Sequence, residues 1–150
     1  MKELNLSQNK VALIDNEDYE RVSKIKWHFE HGYARHKGKH GSLYLHRVIL
    51  GVDKGNEIDH INGNTLDNRK ENLRICSRTE NCRNMRAHKD SIYSKYKGVS
   101  YNKTLGYWTA DIRIGNKKIK KYAKSEKEAI IIYNNLARIY HGEFARLNVV

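Results

Sequence analysis

Apolar residues in the first half of the chain occur in short runs between polar segments, a pattern that predicts short strands. Three strands are predicted, at 10–15, 27–35 and 42–46. A glycine- and lysine-rich turn at 37–41 separates the last two. Asp18 is expected to cap a short helix that extends through Ile25. The third strand is expected to continue into a helical turn with apolar residues Leu45, Val48, Ile49 and Val52.

The middle of the chain alternates between short extended pieces and polar loops. The predicted elements are an extended piece at 57–60, a turn at 62–64, an irregular segment at 65–72 and a strand at 73–76. Thr79 is expected to cap a helix whose first turn contains Glu80, Asn81 and Cys82. The predicted order is therefore strand, loop, strand, helix. Polar residues at 86–95 are expected to form a linker.

From residue 96 the chain alternates regularly between apolar and polar positions. Three strands are predicted, at 96–101, 107–114 and 117–122, with turns at 102–106 and 115–116. In the middle strand one face carries the apolar side chains Trp108, Ala110, Ile112 and Ile114. The other face carries Thr109, Asp111 and Arg113. One side of this sheet is therefore expected to be buried and the other exposed.

A helix is predicted to cover the apolar side of this sheet. Ser125 and Glu128 have the spacing of a capping box, which marks the start of a helix. The helix carries an apolar stripe of Ala129, Ile132, Tyr133, Leu136, Ala137 and Tyr140. The opposite sheet face then stays exposed with the basic residues Lys97, Arg113, Lys118 and Lys120. Separate groups of antiparallel strands and helices predict the α+β class.

The charge of the chain points to a polyanionic partner. The 150 residues include 29 basic and 17 acidic side chains, a net charge of +12. Each phosphate that a basic side chain neutralises releases condensed counterions, so this excess favours a polyanion. Ribosomal proteins and membrane-surface proteins share such a charge, so the charge alone does not identify the partner. Residues 94–150 hold 12 of the basic and 4 of the acidic side chains. We therefore predict two modules, at 1–92 and 93–150, with nucleic-acid binding concentrated in the second.

Two further features bound the functional class. No apolar run approaches the ~20 residues of a membrane span, and residues 1–9 lack the apolar segment of a signal peptide, so a cytoplasmic protein without a membrane partner is expected. The spacing of Cys76 and Cys82 fits neither a disulfide framework nor a zinc knuckle. Both are expected to be free thiols.

Residues 59–81 contain the groups that hydrolysis of a phosphodiester requires. Asp59 offers an anionic oxygen and Asn81 a neutral one, which together suit Mg²⁺ or Mn²⁺. Such an ion neutralises charge at phosphorus and stabilises the leaving oxygen. His60 points to the opposite side of the strand from Asp59, and its near-neutral pKa suits a general base. Asn72 is expected to bond to the backbone of the loop and so to aim the imidazole.

These positions resemble the HNH nuclease motif. The matching residues are Asp59, His60, Asn72, Leu73, Glu80 and Asn81. The phage and intron-encoded homing endonucleases of that family also have a His-Arg segment, which His46-Arg47 matches, so the resemblance covers about 43–85. It implies a ββα-metal fold with Asp59 and Asn81 as ligands of one divalent ion, His60 as the base and Asn72 as the orienting residue. The structural zinc common in the family is not expected, because the cysteine pairs are absent.

Two residues near the motif are less clearly assigned. Asn84 lies one helical turn after Asn81 and is a candidate for phosphate contact. His46 either packs the site from behind or contacts a phosphate, and the sequence leaves both roles open. An isolated Asp-His pair is usually a turn or surface feature, so the nuclease interpretation depends on the combined spacing of the motif.

The last third of the chain resembles the ethylene-response-factor (AP-two type) DNA-binding domain, which also occurs in phage HNH nucleases. The resemblance covers about 94–148 and includes 96–99, 108–113, Glu128-Ala129, Tyr133-Asn134 and 142–148. It implies a three-stranded sheet that enters the DNA major groove, with Lys97, Asn102, Asp111, Arg113, Lys118 and Lys120 on the DNA face. Ser100 and Asn102 replace usual arginines and Lys120 replaces a tryptophan, so no plant target sequence carries over.

The sequence therefore predicts an α+β protein in which an HNH module precedes a three-stranded antiparallel sheet backed by one helix. The expected activity is metal-dependent hydrolysis of duplex DNA, as a site-preferring nickase of the homing type. A monomer is expected, with a dimer as the alternative, in a phage-infected or ordinary bacterial cell. Two rival functions stay open: a non-catalytic DNA-binding transcriptional regulator on an HNH scaffold, and an RNA-binding protein.

Overall fold

The chain forms two compact units, Met1–Asn81 and Cys82–Val150. The computed structural model describes residues 1–39, 41–53, 55–87 and 94–149. Both units contain small antiparallel sheets and helices, which confirms the α+β class. The predicted module boundary between residues 92 and 93, and the centre of the predicted linker, lie outside the described residues. None of the described helices is long and apolar enough to cross a membrane.

The first unit begins with a hairpin of which the sequence predicted only the second strand. Strand β1 (Lys2–Asn5) pairs antiparallel with β2 (Val11–Ile14). A 3-10 turn at Asn16–Asp18 then leads into the single-turn helix α1 (Tyr19–Val22), which ends before Ile25. Asp18 occupies the predicted N-cap position of α1, but its side chain makes no capping hydrogen bond. Its buried carboxylate instead accepts a hydrogen bond of 2.5 Å from Arg21.

The strand predicted at 27–35 is in fact a tight hairpin. Strands β3 (His28–Glu30) and β4 (Tyr33–Gly38) flank a two-residue turn in which His31 has φ 49° and Gly32 has φ 87°. A histidine in the left-handed region is uncommon, so the His31-Gly32 pair is not a strong turn signal in the sequence. Strand β5 (Gly41–Tyr44) follows, and its neighbour across the sheet is β4.

Helix α2 (Leu45–Leu50) begins inside the segment predicted as a strand. His46 is therefore helical rather than extended. Leu45 and Ile49 lie on one side of the helix and are buried in the core of the first unit. Burial of this apolar side favours a helix in the segment. Gly51 then ends the helix in the left-handed conformation.

The predicted order of strand, loop, strand and helix occurs after α2. Strand β6 (Glu57–His60) pairs antiparallel with β7 (Leu73–Cys76), and helix α3 (Arg78–Asn84) follows. Ser77, not Thr79, caps this helix. The Ser77 hydroxyl accepts from the Glu80 amide at 3.3 Å, and the Glu80 carboxylate accepts from the Ser77 amide at 2.8 Å. This reciprocal pair is a capping box.

The second unit contains the predicted three-stranded sheet and one long helix. Strands β8 (Val99–Asn102), β9 (Tyr107–Ile114) and β10 (Lys117–Ala123) form an antiparallel sheet with β9 in the middle. Helix α4 (Glu126–His141) begins at Ser125, whose hydroxyl accepts from the Glu128 amide at 3.1 Å. Its buried residues pack with those of the sheet in a separate core: Val99, Ala110, Ile112, Ala123, Ala129, Ile130, Tyr133 and Ala137.

Gly98, at the entry to β8, is required by close packing against α4. Its φ is +66°, and a Cβ atom there would lie 2.3 Å from two ring carbons of Tyr133 and 2.5 Å from the carbonyl oxygen of Asp111. Tyr133 is only 2% exposed, so its ring has no room to retreat. Gly106 has nearly the same φ of +69° but open space around the equivalent position.

We expect Gly98→Ala to lower the free energy of unfolding by about 3 kcal/mol, since it combines a strained left-handed residue with a steric clash. Gly106→Ala has the strain without the clash and is expected to cost about 1 kcal/mol. Urea unfolding of both variants measures the difference. Equal losses would show that close packing on Tyr133 does not set the requirement at Gly98.

Candidate active site

Strand β6 places Asp59 and His60 on opposite faces, as neighbouring residues of a strand must be. Both residues are only 5% exposed. In the antiparallel register Asp59 lies opposite Arg74, and His60 lies opposite Leu73. The two functional groups predicted from the sequence therefore have different surroundings, one charged and the other aromatic.

On the charged face, Asp59 pairs with Arg74. The Oδ2 atom of Asp59 accepts hydrogen bonds from Nε of Arg74 at 2.9 Å and from Nη2 at 2.6 Å. The side chains are 6% and 13% exposed, so this ion pair is largely removed from water. Charge-assisted bonds of this kind fix the orientation of the carboxylate. The sequence analysis missed Arg74, because only the strand register brings it to Asp59.

Asn81 reaches the same strand from helix α3. Its Nδ2 atom donates to Oε2 of Glu57 at 2.7 Å. Glu57 precedes Asp59 by two residues on β6 and therefore lies on the same face. This hydrogen bond fixes the orientation of the Asn81 side chain through its amide nitrogen. The sequence analysis also missed Glu57, which the two-residue period of a strand could have identified.

The oxygen donors on this face fit a hard divalent cation. Asp59 supplies a carboxylate and Asn81 an amide oxygen, the ligand types that Mg²⁺ and Mn²⁺ prefer. Within the described residues, no group of three or more histidine, cysteine or acidic side chains is arranged to hold a metal ion. The donor set that fits is therefore small, and the remaining positions of such an ion would belong to water and substrate.

On the other face, His60 lies among aromatic rings. Its ring centroid is 5.3 Å from that of His46 and 6.2 Å from that of Tyr33. Burial lowers the pKa of His60, and the Asn68 side chain and the Asp59 carboxylate only partly oppose that shift. The imidazole is therefore held in its neutral form, which is the form that can accept a proton.

His46 packs behind His60. Its ring lies 5.6 Å from the ring of Tyr44 in a stacked arrangement and 5.6 Å from that of Tyr33, edge on. Burial lowers the pKa of His46 to about 3, so the imidazole carries no charge near neutral pH. Of the two roles that the sequence left open, the structure favours packing. A neutral, buried imidazole is poorly suited to the predicted phosphate contact.

Asn72 ties together the loop between β6 and β7. Its Oδ1 atom accepts from the backbone amide of Asn62 at 2.9 Å, and its Nδ2 atom donates to the backbone carbonyl of Asp67 at 2.7 Å. These are the backbone contacts that the sequence analysis expected. The loop begins directly after His60, with the amide of Gly63 donating to the His60 carbonyl at 2.7 Å. Asn72 therefore holds the loop that follows His60 through contacts with its backbone.

Asn84 lies one helical turn after Asn81, as expected. It lies in the last turn of α3 and is 7% exposed. The contact of Asn84 with a phosphate stays a prediction.

In the second unit, some of the residues predicted for the basic face lie together on one exposed face of the sheet, and others do not. The register pairs Arg113 with Lys118 and Asp111 with Lys120, so these side chains share one face of the sheet. Arg113, Lys118 and Lys120 are exposed, and the Lys118 ammonium lies 3.2 Å from the Asp111 carboxylate. Asn102 lies at the end of β8, where its Oδ1 atom accepts from the amides of Thr104 and Leu105 and so forms the turn.

Lys97 does not lie on that exposed face as predicted. Its Nζ atom donates to the backbone carbonyls of Cys82 at 3.1 Å, Arg83 at 2.5 Å and Met85 at 2.6 Å. Desolvation in this half-buried position lowers the pKa of Lys97 to about 8. The ammonium group therefore caps the carbonyl end of α3, where a positive charge is favourable.

The buried His46 predicts a specific dependence of stability on pH. The unfolded chain takes up a proton near pH 6.5, whereas the folded protein resists it down to about pH 3, so stability is lost as pH falls through this range. We expect His46→Phe, which retains a ring, to reduce the slope of unfolding free energy against pH by up to about 1.4 kcal/mol per unit. Urea unfolding between pH 4 and 7 measures it, and an unchanged slope would contradict the assignment.

The sequence of this chain is similar to a protein-family model and to two viral proteins. The family model described as HNH endonuclease matches residues 43–83. An uncharacterized HNH endonuclease of Acanthamoeba polyphaga mimivirus is 30% identical over 146 residues, covering 93% of this chain and 75% of that protein. Protein 3.8 of Escherichia phage T7 is 33% identical over 95 residues, covering 63% of this chain and 78% of that protein. No solved structure shows significant similarity.

These similarities include the part of the chain that carries the site. The matched segment 43–83 contains β6, β7 and most of α3, and with them Asp59, His60, Asn72 and Asn81. The mimivirus relative extends the similarity over nearly the whole chain. The protein therefore belongs to the HNH endonuclease family, and this membership supports a nuclease activity.

Proposed function

We propose that the protein is a metal-dependent endonuclease that hydrolyses phosphodiester bonds in duplex DNA. The observation that carries the proposal is the pair of adjacent residues Asp59 and His60, buried on opposite faces of β6 within the segment matched by the HNH family. An anionic oxygen and a neutral imidazole at neighbouring positions are the two groups that a hydrolytic metal site needs from a protein.

Asp59 and Asn81 would hold one Mg²⁺ or Mn²⁺. When bound, such an ion neutralises charge on the scissile phosphate and stabilises the leaving oxygen. Glu57 supports this assignment, because its carboxylate accepts from Nδ2 of Asn81, so the amide oxygen would be the atom that binds a cation. Asp59 supplies the negative charge that makes binding of the ion favourable.

His60 would be the general base that removes a proton from the attacking water. Burial lowers the pKa of His60, which favours the neutral, proton-accepting form at physiological pH. Packing of its ring against His46 and Tyr33 limits the orientations that the imidazole can adopt. Asn72 supports the same geometry indirectly, because its two backbone hydrogen bonds hold the loop that follows His60.

The sheet of the second unit would bind the DNA. Arg113, Lys118 and Lys120 present three positive side chains on one exposed face, as in the AP-two type domain that this part of the sequence resembles. Asn102 would border this surface, although its side chain also stabilises the turn after β8. Lys97 is no longer favoured as a DNA contact, since it would first have to give up its bonds to the carbonyls of α3.

A chain with one such site would cut one strand for each binding event, so we propose a nickase that acts as a monomer. Cleavage of both strands would require a dimer or a second event. We also propose that the nickase prefers particular DNA sites and is of the homing type, as the resemblance of its sequence suggests. A DNA-binding regulator without catalysis and an RNA-binding protein are the rival functions, and each predicts a different result in the experiments below.

We expect the wild-type protein to convert supercoiled plasmid to the open-circle form with Mg²⁺ or Mn²⁺. His60→Ala should reduce the rate by about 10²-fold or more, because it removes the general base. A chelator should abolish the conversion. Gel quantification of the plasmid forms over time provides the measurement, with pooled phage DNA as a second substrate in case the plasmid lacks a preferred site.

Other outcomes separate the rival functions. Tight plasmid binding without conversion of either substrate would favour the regulator. Stronger binding of structured RNA than of duplex DNA at the same salt concentration would favour the RNA-binding protein. Unchanged nicking by His60→Ala would show that His60 is not the base, even if the protein is a nuclease.

Strand β10 offers a matched test of the DNA-binding face. Lys118 and Lys120 lie on the exposed face, whereas Lys117 and Lys121 pair across the sheet with Ile114 and Ala110 on the opposite side. We expect Lys118→Ala with Lys120→Ala to reduce the slope of log affinity against log salt by about 2, since each phosphate contact contributes about 1. The double change at Lys117 and Lys121 removes the same net charge and should alter the slope much less. Equal effects in fluorescence anisotropy titrations would contradict a face-specific contact.

A further inference from the structure

The ion pair between Asp59 and Arg74 joins the proposed metal ligand to a competing cation. Two nitrogens of Arg74 donate hydrogen bonds to the Oδ2 atom of Asp59, Nε at 2.9 Å and Nη2 at 2.6 Å. The strand register places these residues directly opposite each other, so the contact does not depend on a flexible loop. The side chains are 6% and 13% exposed, which limits how far water can weaken their attraction.

Stability alone does not explain this pair. Burying two charges costs hydration, and replacing a buried ion pair by apolar residues of similar volume is often neutral or stabilising. Short strands favour β-branched residues, so the strand itself does not require an arginine opposite Asp59. An arginine here has its clearest consequence for the chemistry of the Asp59 carboxylate.

A divalent ion and the Arg74 guanidinium need the same carboxylate. Both are attracted to the negative charge of Asp59, and they repel each other when they share it. An incoming ion must therefore displace the guanidinium or bind beside it against that repulsion. In either case the apparent affinity for the metal is lower than Asp59 and Asn81 would provide without Arg74.

We propose that Arg74 is an internal counter-ion that competes with the divalent metal for Asp59 and thereby sets the metal affinity of the site. This inference rests on the proposed function, because it takes Asp59 as a metal ligand. It assigns Arg74 a positioning and affinity-setting role rather than a direct catalytic one. In the metal-free protein the guanidinium balances the buried carboxylate, and in the loaded protein the metal takes over that task.

The direct test is calorimetric titration of the full chain with Mn²⁺ in the absence of DNA. Arg74→Met removes the charge and keeps much of the side-chain volume. We expect it to bind Mn²⁺ at least about tenfold more tightly than the wild type, within the range that partners of metal ligands are known to control. Arg74→Lys retains a positive charge opposite Asp59 that still repels the metal ion, so it should bind Mn²⁺ within about threefold of the wild type.

Arg78 provides a matched control for the general effect of removing a positive charge nearby. Its side chain is 88% exposed and lies 3.8 Å from the Glu57 carboxylate. Arg78→Met changes the net charge by the same amount as Arg74→Met without removing a partner of Asp59. We expect its Mn²⁺ affinity to stay within about twofold of the wild type, because exposed charges are screened. If Arg78→Met gained as much Mn²⁺ affinity as Arg74→Met, the gain would come from the change in net charge alone. That result would overturn the proposal.

Thermal unfolding gives a readout that remains useful if Arg74→Met is poorly folded. Removing the guanidinium leaves a buried carboxylate without its counter-ion, so the midpoint should fall in metal-free buffer. Mn²⁺ should then raise the midpoint of Arg74→Met more than that of the wild type, since a tighter ligand stabilises the folded state more at the same concentration. Mn²⁺ that fails to raise the midpoint of a destabilised Arg74→Met protein would overturn the proposal, as would unchanged or weaker binding by a well-folded variant.

Asp59→Asn separates this inference from the proposed function. It should abolish the Mn²⁺ binding seen in the wild type. If Asp59→Asn retained wild-type binding, Asp59 would not be a ligand, and the proposed metal site itself would be wrong. If Asp59→Asn lost binding while Arg74→Met showed no gain, the metal site would stand and only the role of Arg74 would fail.

Discussion

The antiparallel pairing of β6 with β7 is the constraint on which the candidate site depends. This register sets Asp59 against Arg74 and directs His60 to the opposite side of the same strand. A shift of one residue would exchange the two faces, because side chains alternate along a strand. The Asn72 side chain stabilises the arrangement from outside the sheet, since its hydrogen bonds to the backbone of Asn62 and Asp67 close the loop between the strands.

The two faces of this strand pair illustrate how burial can act in opposite ways on neighbouring residues. On one face, the buried carboxylate of Asp59 is balanced by a guanidinium. On the other, His60 and His46 lie among aromatic rings, and burial lowers the pKa of both imidazoles. A short element thus separates a paired carboxylate from a buried imidazole by the thickness of one strand.

The second unit uses the same alternation to divide its basic side chains. Lys118 and Lys120 lie on the exposed face with Arg113, while Lys117 and Lys121 belong to the other side of the same strand. The excess positive charge in this part of the sequence is therefore divided between the two faces of the sheet. Lys97 shows a further division, because three backbone carbonyls bind its ammonium group.

The sequence by itself determined the α+β class, the strand–loop–strand–helix order around Asp59, and the sheet and helix of the second unit, because short-range periodicity and capping residues encode these features. It failed where distant contacts decide. The turn at His31 and the missed strand β1 depend on weak local signals that the surrounding structure selects, whereas the capping box at Ser77 could have been recognised from its spacing to Glu80. Only the tertiary structure could assign Arg74 to Asp59, bury His46 and direct Lys97 inward, since strand register and packing fix which charged groups meet and which lose their contact with water.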